Sequence, residues 1–134
     1  MNRMTATNVE VSVTLWVVSI GVGLAFVASG AMKLVVSKER LALRGASWVA
    51  DFSSGTVIFV GLTEITGGLA IVLPAALGIP SRSAAMAGTA GLIVVMLGAA
   101  VVHARRRELG MIIWNVALLA LTAVALWDRP AHWY

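Results

Sequence analysis

Four polar side chains interrupt otherwise apolar stretches of the sequence, and they are the groups with which this chain could do chemistry: Lys33, Glu64, His103 and Asn115. A carboxylate within a membrane helix costs about 3 kcal/mol on insertion scales, so Glu64 must have a partner or a role that offsets this cost. An apolar pocket favours the neutral acid, which can act as a general acid. A neighbouring Lys33 favours the carboxylate, which can act as a base or a nucleophile.

The elements that position these groups are long apolar stretches. The chain has 134 residues, of which 60% are hydrophobic and 12% are charged. This composition excludes disorder and argues against a soluble domain. A membrane span needs about 20 mostly apolar residues, and four stretches fit, at about 11–36, 56–77, 84–102 and 111–127. We therefore predict an all-α fold, an integral membrane four-helix bundle that forms one transmembrane domain over residues 1–134. Residues 1–10 are polar and predict a short flexible lead.

The positive charges indicate orientation in the membrane rather than binding to nucleic acid. Most lie in the short segments 37–55 and 103–110: Lys38, Arg40, Arg44, Arg105, Arg106 and Arg107. Short loops rich in Lys and Arg usually stay in the cytoplasm. We expect both loops in the cytoplasm and both termini outside, in the inner (plasma) membrane of a bacterium. A patch for lipid headgroups is the alternative interpretation of these charges, and a signal peptide is the alternative for the first span.

The predicted topology brings the four polar groups to one depth in the inner half of the bundle. At 1.5 Å per residue, Glu64 lies roughly 10 Å beyond Val57 and Asn115 roughly 9 Å beyond Leu109. Lys33 reaches this depth with its long side chain. Phe26 and Ser29 share a helical stripe with Lys33, and Met96 shares one with His103. The candidate site therefore has seven residues. Glu64 and Lys33 are the catalytic candidates, and the ligand-binding candidates are His103, Asn115, Phe26, Ser29 and Met96.

Structural interpretations of the same residues stay open. Glu64 and Lys33 could form an ion pair that locks two helices together, or Lys33 could reach up to lipid phosphates. His103 could be an ordinary interfacial histidine, and Asn115 could join two helices by hydrogen bonds. The connector 37–54 predicts a partly interfacial helix with Trp48 at headgroup depth, or a structured loop.

The sequence identifies no cofactor and predicts no metal site. It has no cysteine, which excludes disulfides, thiol catalysis and thiolate metal sites. The two histidines, His103 and His132, are expected on opposite faces of the membrane, so only a haem with one histidine ligand stays open.

Three segments carry a family resemblance. They are Ser29-Gly30-Ala31-Met32-Lys33-Leu34, Glu64-Ile65-Thr66-Gly67-Gly68-Leu69 running to Leu73-Pro74, and Met96-Leu97-Gly98-Ala99-Ala100 leading to His103. With these segments the chain resembles the DoxX-like family of small membrane proteins with four spans. The resemblance implies a compact four-helix bundle and places Lys33 and Glu64 at the family's recurring polar positions. The family takes its name from a subunit of an archaeal thiosulfate:quinone oxidoreductase.

Three functions remain. The first is binding of a lipophilic small molecule, such as a quinone or another apolar ligand, in a polar pocket of the inner half of the bundle. An accessory subunit of an oxidoreductase is one form that this function could take. The second is a membrane-embedded acid–base enzyme of the epoxide isomerase, epoxide hydrolase or terpene cyclase type that uses Glu64. The third is a structural or assembly factor. The expected partners are the lipid bilayer, a lipophilic molecule, and a partner membrane subunit or a second copy of the chain.

Overall fold

The computed structural model describes residues 3–77 and 82–127, and within these ranges the chain is helical without any strand. Four long helices dominate: α1 (Arg3–Val35), α3 (Ser54–Leu77), α4 (Arg82–Arg105) and α5 (Leu109–Trp127). The short helix α2 (Lys38–Leu43) and a 3-10 helix (Ser47–Asp51) connect α1 to α3. The predicted all-α class is confirmed.

The four long helices form a ring in which each packs against two neighbours. The packed pairs are α1 with α3, α3 with α4, α4 with α5, and α5 with α1. The α1–α3 contact is the most extensive and the α1–α5 contact the least. An apolar core fills the centre with Val22, Phe26, Ile71, Leu92 and Met96.

Three of the long helices have the length and composition of membrane spans. The apolar segments are Trp16–Val35, Ser54–Leu73 and Met86–Arg105, each of 20 residues. Twenty residues of α-helix extend about 30 Å, the thickness of the bilayer core. The apolar part of α5, Leu109–Val124, is shorter, so the fourth span stays a prediction. Large apolar side chains point outward from the helices, where lipid can cover them, among them Val17, Phe59, Val94 and Ile113.

The tight α1–α3 contact depends on glycines that face each other. A Cβ on Gly30 would lie 2.4 Å from the carbonyl oxygen of Gly61, and one on Gly68 would lie 2.6 Å from that of Gly23. The absence of side chains lets the two backbones approach to this distance. The sequence left open whether small residues beside Glu64 make room for a ligand or for packing, and Gly61 and Gly68 serve packing.

Helix boundaries differ from the prediction mainly at the start of the chain. The first helix was expected from about 11, but α1 already begins at Arg3, so the prediction of a flexible lead is wrong for the described part of 1–10. A helix that is already nucleated extends at little cost per residue into polar sequence. The other three helices begin two residues earlier than predicted, and α4 ends three residues later. His132 lies outside the described residues.

The connector folds as two short helices rather than as one. Gly45, with φ at +97°, ends α2 in a conformation that residues with side chains rarely adopt. Leu41, Val49 and Val57 then form a small separate core. Trp48 and Phe52 pack against this core. The connector thereby covers the end of the bundle where α1 and α4 end and α3 and α5 begin, which we call the connector end.

Candidate functional site

A cavity of about 550 Å³ lies inside the bundle at the connector end. All four long helices contribute to its walls, and Trp48 and Phe52 of the connector line it at the connector end. All seven candidate residues predicted from the sequence line this one cavity: Phe26, Ser29, Lys33, Glu64, Met96, His103 and Asn115.

Lys33 and Glu64 form an ion pair across the α1–α3 contact. Lys33 Nζ donates a hydrogen bond of 2.7 Å to Glu64 Oε2 and one of 2.8 Å to Ser29 Oγ. The two side chains are only 12% and 5% exposed. Lys33 therefore points into the bundle and not toward lipid phosphates. The pair forms because the glycine contact next to it, Gly30 against Gly61, brings the two helices within reach of each other.

His103 pairs with a carboxylate that the sequence analysis did not consider. Its Nδ1 lies 2.6 Å from Glu108 Oε2. Arg107, with φ at +57°, turns the chain after α4. The Glu108 N–H then donates to the His103 carbonyl oxygen at 3.0 Å, which holds Glu108 against the end of α4. His103 is 4% exposed, so it is a buried residue and not an ordinary interfacial histidine.

Glu108 is the centre of a polar network outside the apolar spans. Arg106 Nε donates to Glu108 Oε1 at 2.8 Å, and Ser47 Oγ donates to the same oxygen at 3.0 Å. Arg106 also forms an ion pair with Asp51. The hydrogen bonds from Arg106, followed by that from His103, lower the pKa of Glu108 to about 2. Glu108 is therefore ionised at neutral pH, and His103 Nδ1 carries the proton that it shares with this carboxylate.

The low pKa of Glu108 predicts a stability difference that depends on pH. Its folded value of about 2 lies below the ordinary value of 4.5, so ionised Glu108 stabilises the folded state above pH 4.5, and this contribution disappears as the pH falls toward 2. Thermal unfolding of the wild type and of Glu108→Gln, followed from about pH 6 to about pH 2, measures it. We expect the wild type to be more stable at pH 6 and the difference to shrink on acidification. A stability difference between wild type and Glu108→Gln that stays constant over this pH range would contradict the low pKa of Glu108.

Asn115 makes no bond between helices in the described part of the chain. Its Nδ2 donates to the carbonyl oxygen of Met111 in its own helix at 2.9 Å. The interpretation of Asn115 as a link between helices is therefore wrong there. The polar layer consists of separate groups around one cavity rather than one continuous network: Lys33 with Glu64 and Ser29, His103 with Glu108, and Asn115.

The cavity opens sideways between α1 and α5. Met32 on α1 and Met111 and Trp114 on α5 line the cavity, yet they are 48%, 37% and 58% exposed. Side chains that line a cavity and are also exposed border its mouth. The mouth therefore lies between α1 and α5, the two helices that make the least extensive contact in the ring.

Aromatic side chains are the second group that the sequence analysis did not assign to the site. Trp48 lies with its ring 5.9 Å from Lys33 Nζ and packs edge-on against Phe52. A cation near an aromatic face is attracted by the ring. The sequence placed Trp48 at headgroup depth because a tryptophan in a connector is typical of the interface.

The fold and the site define a class, a helical integral membrane protein with a cavity between its spans. A model of the DoxX-like family matches residues 17–125, so this chain belongs to the DoxX-like family. The match covers the cavity residues of all four long helices. No match was found among curated proteins or among solved structures.

Proposed function

We propose that this protein binds a lipophilic small molecule in the cavity at the connector end. The observation that carries the proposal is the cavity of about 550 Å³ with mostly apolar walls and a few buried polar groups. Binding sites for small molecules have volumes of about 300–1,000 Å³ and the same combination of apolar walls with a few polar groups. The Lys33–Glu64 pair, His103 and Asn115 provide the polar groups.

The ligand reaches the cavity from the bilayer. The mouth between α1 and α5 is bordered by Met32, Met111 and Trp114, which favour apolar over charged compounds. A quinone-like molecule fits this description. With such a ligand the protein could serve as an accessory subunit of an oxidoreductase, since a bound quinone supplies redox chemistry that a chain without cysteine does not supply from thiols.

Filling the cavity tests this proposal. Ala99 lines the cavity on α4, so Ala99→Trp places a large ring in it. In nanodiscs, we expect individual quinones or isoprenoids to raise the unfolding temperature of the wild type, because a ligand that binds only the folded state stabilises it. The same compounds should not stabilise Ala99→Trp. Val94→Trp on the same helix is the control of matched size, since Val94 is 69% exposed and does not line the cavity. Equal shifts in wild type and Ala99→Trp would contradict binding in this cavity.

A second candidate is a membrane-embedded acid–base enzyme. The observation that favours it is the presence of two buried groups, Glu64 and His103, on the same cavity, each held by a charged partner. A carboxylate and an imidazole at one ligand can transfer protons to and from it. Glu64→Gln separates the two candidates: loss of turnover with retained ligand binding supports the enzyme, and retained binding without any turnover in the wild type supports the binding protein.

We also propose the orientation that the charges indicate, with 37–55 and 103–110 in the cytoplasm, both termini outside, and the chain forming one domain in an inner membrane. The Lys and Arg residues of these two segments support this orientation. Because the chain has no cysteine, Arg44→Cys would carry the only thiol. We expect a membrane-impermeant thiol reagent to label it in inverted vesicles and not in intact cells.

A further inference from the structure

We propose that the cavity selects lipophilic molecules that carry a hydroxyl group, such as long-chain alcohols or phenols, over molecules of the same shape that cannot donate a hydrogen bond. This proposal rests on the proposed function, because it concerns the polar part of the molecule bound in the same cavity. Its basis is that the Glu64 carboxylate, whose oxygens can only accept hydrogen bonds when ionised, has one oxygen left open at the cavity.

The first open acceptor is Glu64 Oε1. The other oxygen of this carboxylate, Oε2, accepts the hydrogen bond from Lys33. Oε1 accepts none from the part of the chain that the structure describes. Glu64 is 4% exposed and lines the cavity, so the partner for Oε1 has to come from inside the cavity. A hydrogen bond to a charged acceptor is stronger than one between neutral groups.

The second open acceptor is Asn115 Oδ1. Only the NH₂ group of Asn115 can donate to the Met111 carbonyl oxygen, which identifies the other amide atom as the acceptor Oδ1. The Asn115 side chain lines the cavity and is almost completely buried.

These atoms are in contact with the cavity and not sealed inside the protein. Among the described residues, Thr89 Oγ1 is the one fully enclosed side-chain polar atom that has no hydrogen-bond partner. Glu64 Oε1 and Asn115 Oδ1 therefore remain accessible from the cavity. Of the donors on the wall, Lys33 Nζ is engaged by Glu64 and Ser29 and lies near the Trp48 ring. The second amide hydrogen of Asn115 and the hydroxyl hydrogen of Ser29 can donate to a hydroxyl or an ether oxygen alike, so they do not distinguish the two kinds of ligand.

Acceptors at the wall require a donor in the ligand. A buried acceptor that loses its water and gains no partner costs free energy, so the site binds a ligand with a hydroxyl hydrogen, such as the reduced quinol form of a quinone-like molecule, more tightly than one without it. A hydroxyl group fits better than an ammonium group, because the Lys33 ammonium 2.7 Å from Glu64 Oε2 would repel a second cation. The apolar remainder of the molecule would extend through the mouth between α1 and α5.

A pair of probes that differ only in this proton tests the proposal: 4-nonylphenol and 4-nonylanisole, in which a methyl group replaces the hydroxyl hydrogen. Dissociation constants for the full chain in nanodiscs can be followed through tryptophan fluorescence, after correction for partitioning into empty nanodiscs. We expect the phenol to bind wild type at least about tenfold more tightly than the anisole, the effect of one hydrogen bond to a charged group. In Glu64→Gln the ratio should fall below that of the wild type, because the amide oxygen that remains is uncharged and accepts a weaker hydrogen bond.

Glu39→Gln is the matched control, because it makes the same chemical change at an exposed carboxylate outside the cavity. It should keep the ratio of the wild type. Equal affinities of the two probes for wild type would overturn the selectivity and leave the proposed function in place. Binding of neither probe would overturn both. A ratio that is the same in wild type and Glu64→Gln would overturn the role given to Glu64.

Discussion

Lys33→Met is expected to lower the free energy of unfolding by about 3–5 kcal/mol, the usual effect of removing one partner of a buried ion pair. The substitution leaves the Glu64 carboxylate 5% exposed inside a membrane bundle without its cation. Methionine has about the same length and flexibility as the lysine side chain, so the apolar packing is mostly kept. The loss of unfolding free energy therefore measures the effect of removing the positive charge of Lys33.

Removal of the carboxylate should cost less than removal of the lysine. In Glu64→Leu, Lys33 is two residues from the end of α1, and its long side chain can move its charge toward the membrane surface. In Lys33→Met, the shorter Glu64 side chain cannot move its charge to the membrane surface in this way. The double variant Lys33→Met/Glu64→Leu should be considerably more stable than Lys33→Met, because neither charge is left in the bundle.

Reversible unfolding in mixed detergent micelles measures these differences, and the double-mutant cycle isolates the coupling of the pair. Glu39→Leu is the control, since this carboxylate is exposed on α2, and its loss should cost less than about 1 kcal/mol. If Lys33→Met and Glu39→Leu have the same small effect, the Lys33–Glu64 pair does not contribute to holding α1 against α3.

Gly30→Ala is expected to have the second largest effect, a loss of about 3 kcal/mol or more of unfolding free energy. The added Cβ would lie 2.4 Å from the Gly61 carbonyl oxygen and 3.0 Å from the Ile65 backbone nitrogen. Neither backbone atom can turn away as a side chain can. The helices must separate, and the distance between Lys33 and Glu64, next to this contact, increases with them.

Gly21→Ala on the same helix is the matched control, because a Cβ there would meet nothing within 4 Å. It should be neutral or slightly stabilising, since alanine favours the helix over glycine by about 0.5–1 kcal/mol. Both variants are compared by the same unfolding measurement. Equal stabilities of Gly30→Ala and Gly21→Ala would show that α1 and α3 are not in the close contact described.

The sequence predicted the fold class and the position of the cavity residues because both depend on simple periodicities. Apolar stretches of about 20 residues indicate spans, and short connectors make consecutive spans antiparallel. The rise of a helix then places Lys33, Glu64, His103 and Asn115 at similar depths. The structure brings all four to one cavity.

The Lys33–Glu64 ion pair was among the interpretations open from the sequence, but the hydrogen-bond partner of His103 could not be predicted in the same way. The pairing of His103 with Glu108 depends on the left-handed conformation of Arg107, a residue type that rarely adopts it. Glu108 follows three arginines in the sequence, and this run of charges was interpreted only as a signal for orientation in the membrane. The roles of Trp48 and Phe52 depend on how the connector folds back, which is decided by the small core around Val49. Neither feature has a periodic signal.

The central claim is that the cavity holds a lipophilic molecule, and native mass spectrometry of gently purified protein tests it most directly. The wild type and Val94→Trp are expected to retain an apolar molecule of defined mass, whereas Ala99→Trp, in which the ring occupies the cavity, is expected to lose it. Retention of the same molecule by Ala99→Trp would place the binding elsewhere. A wild type that carries nothing and gains no mass when lipophilic compounds are added would contradict the claim and favour a structural or assembly role.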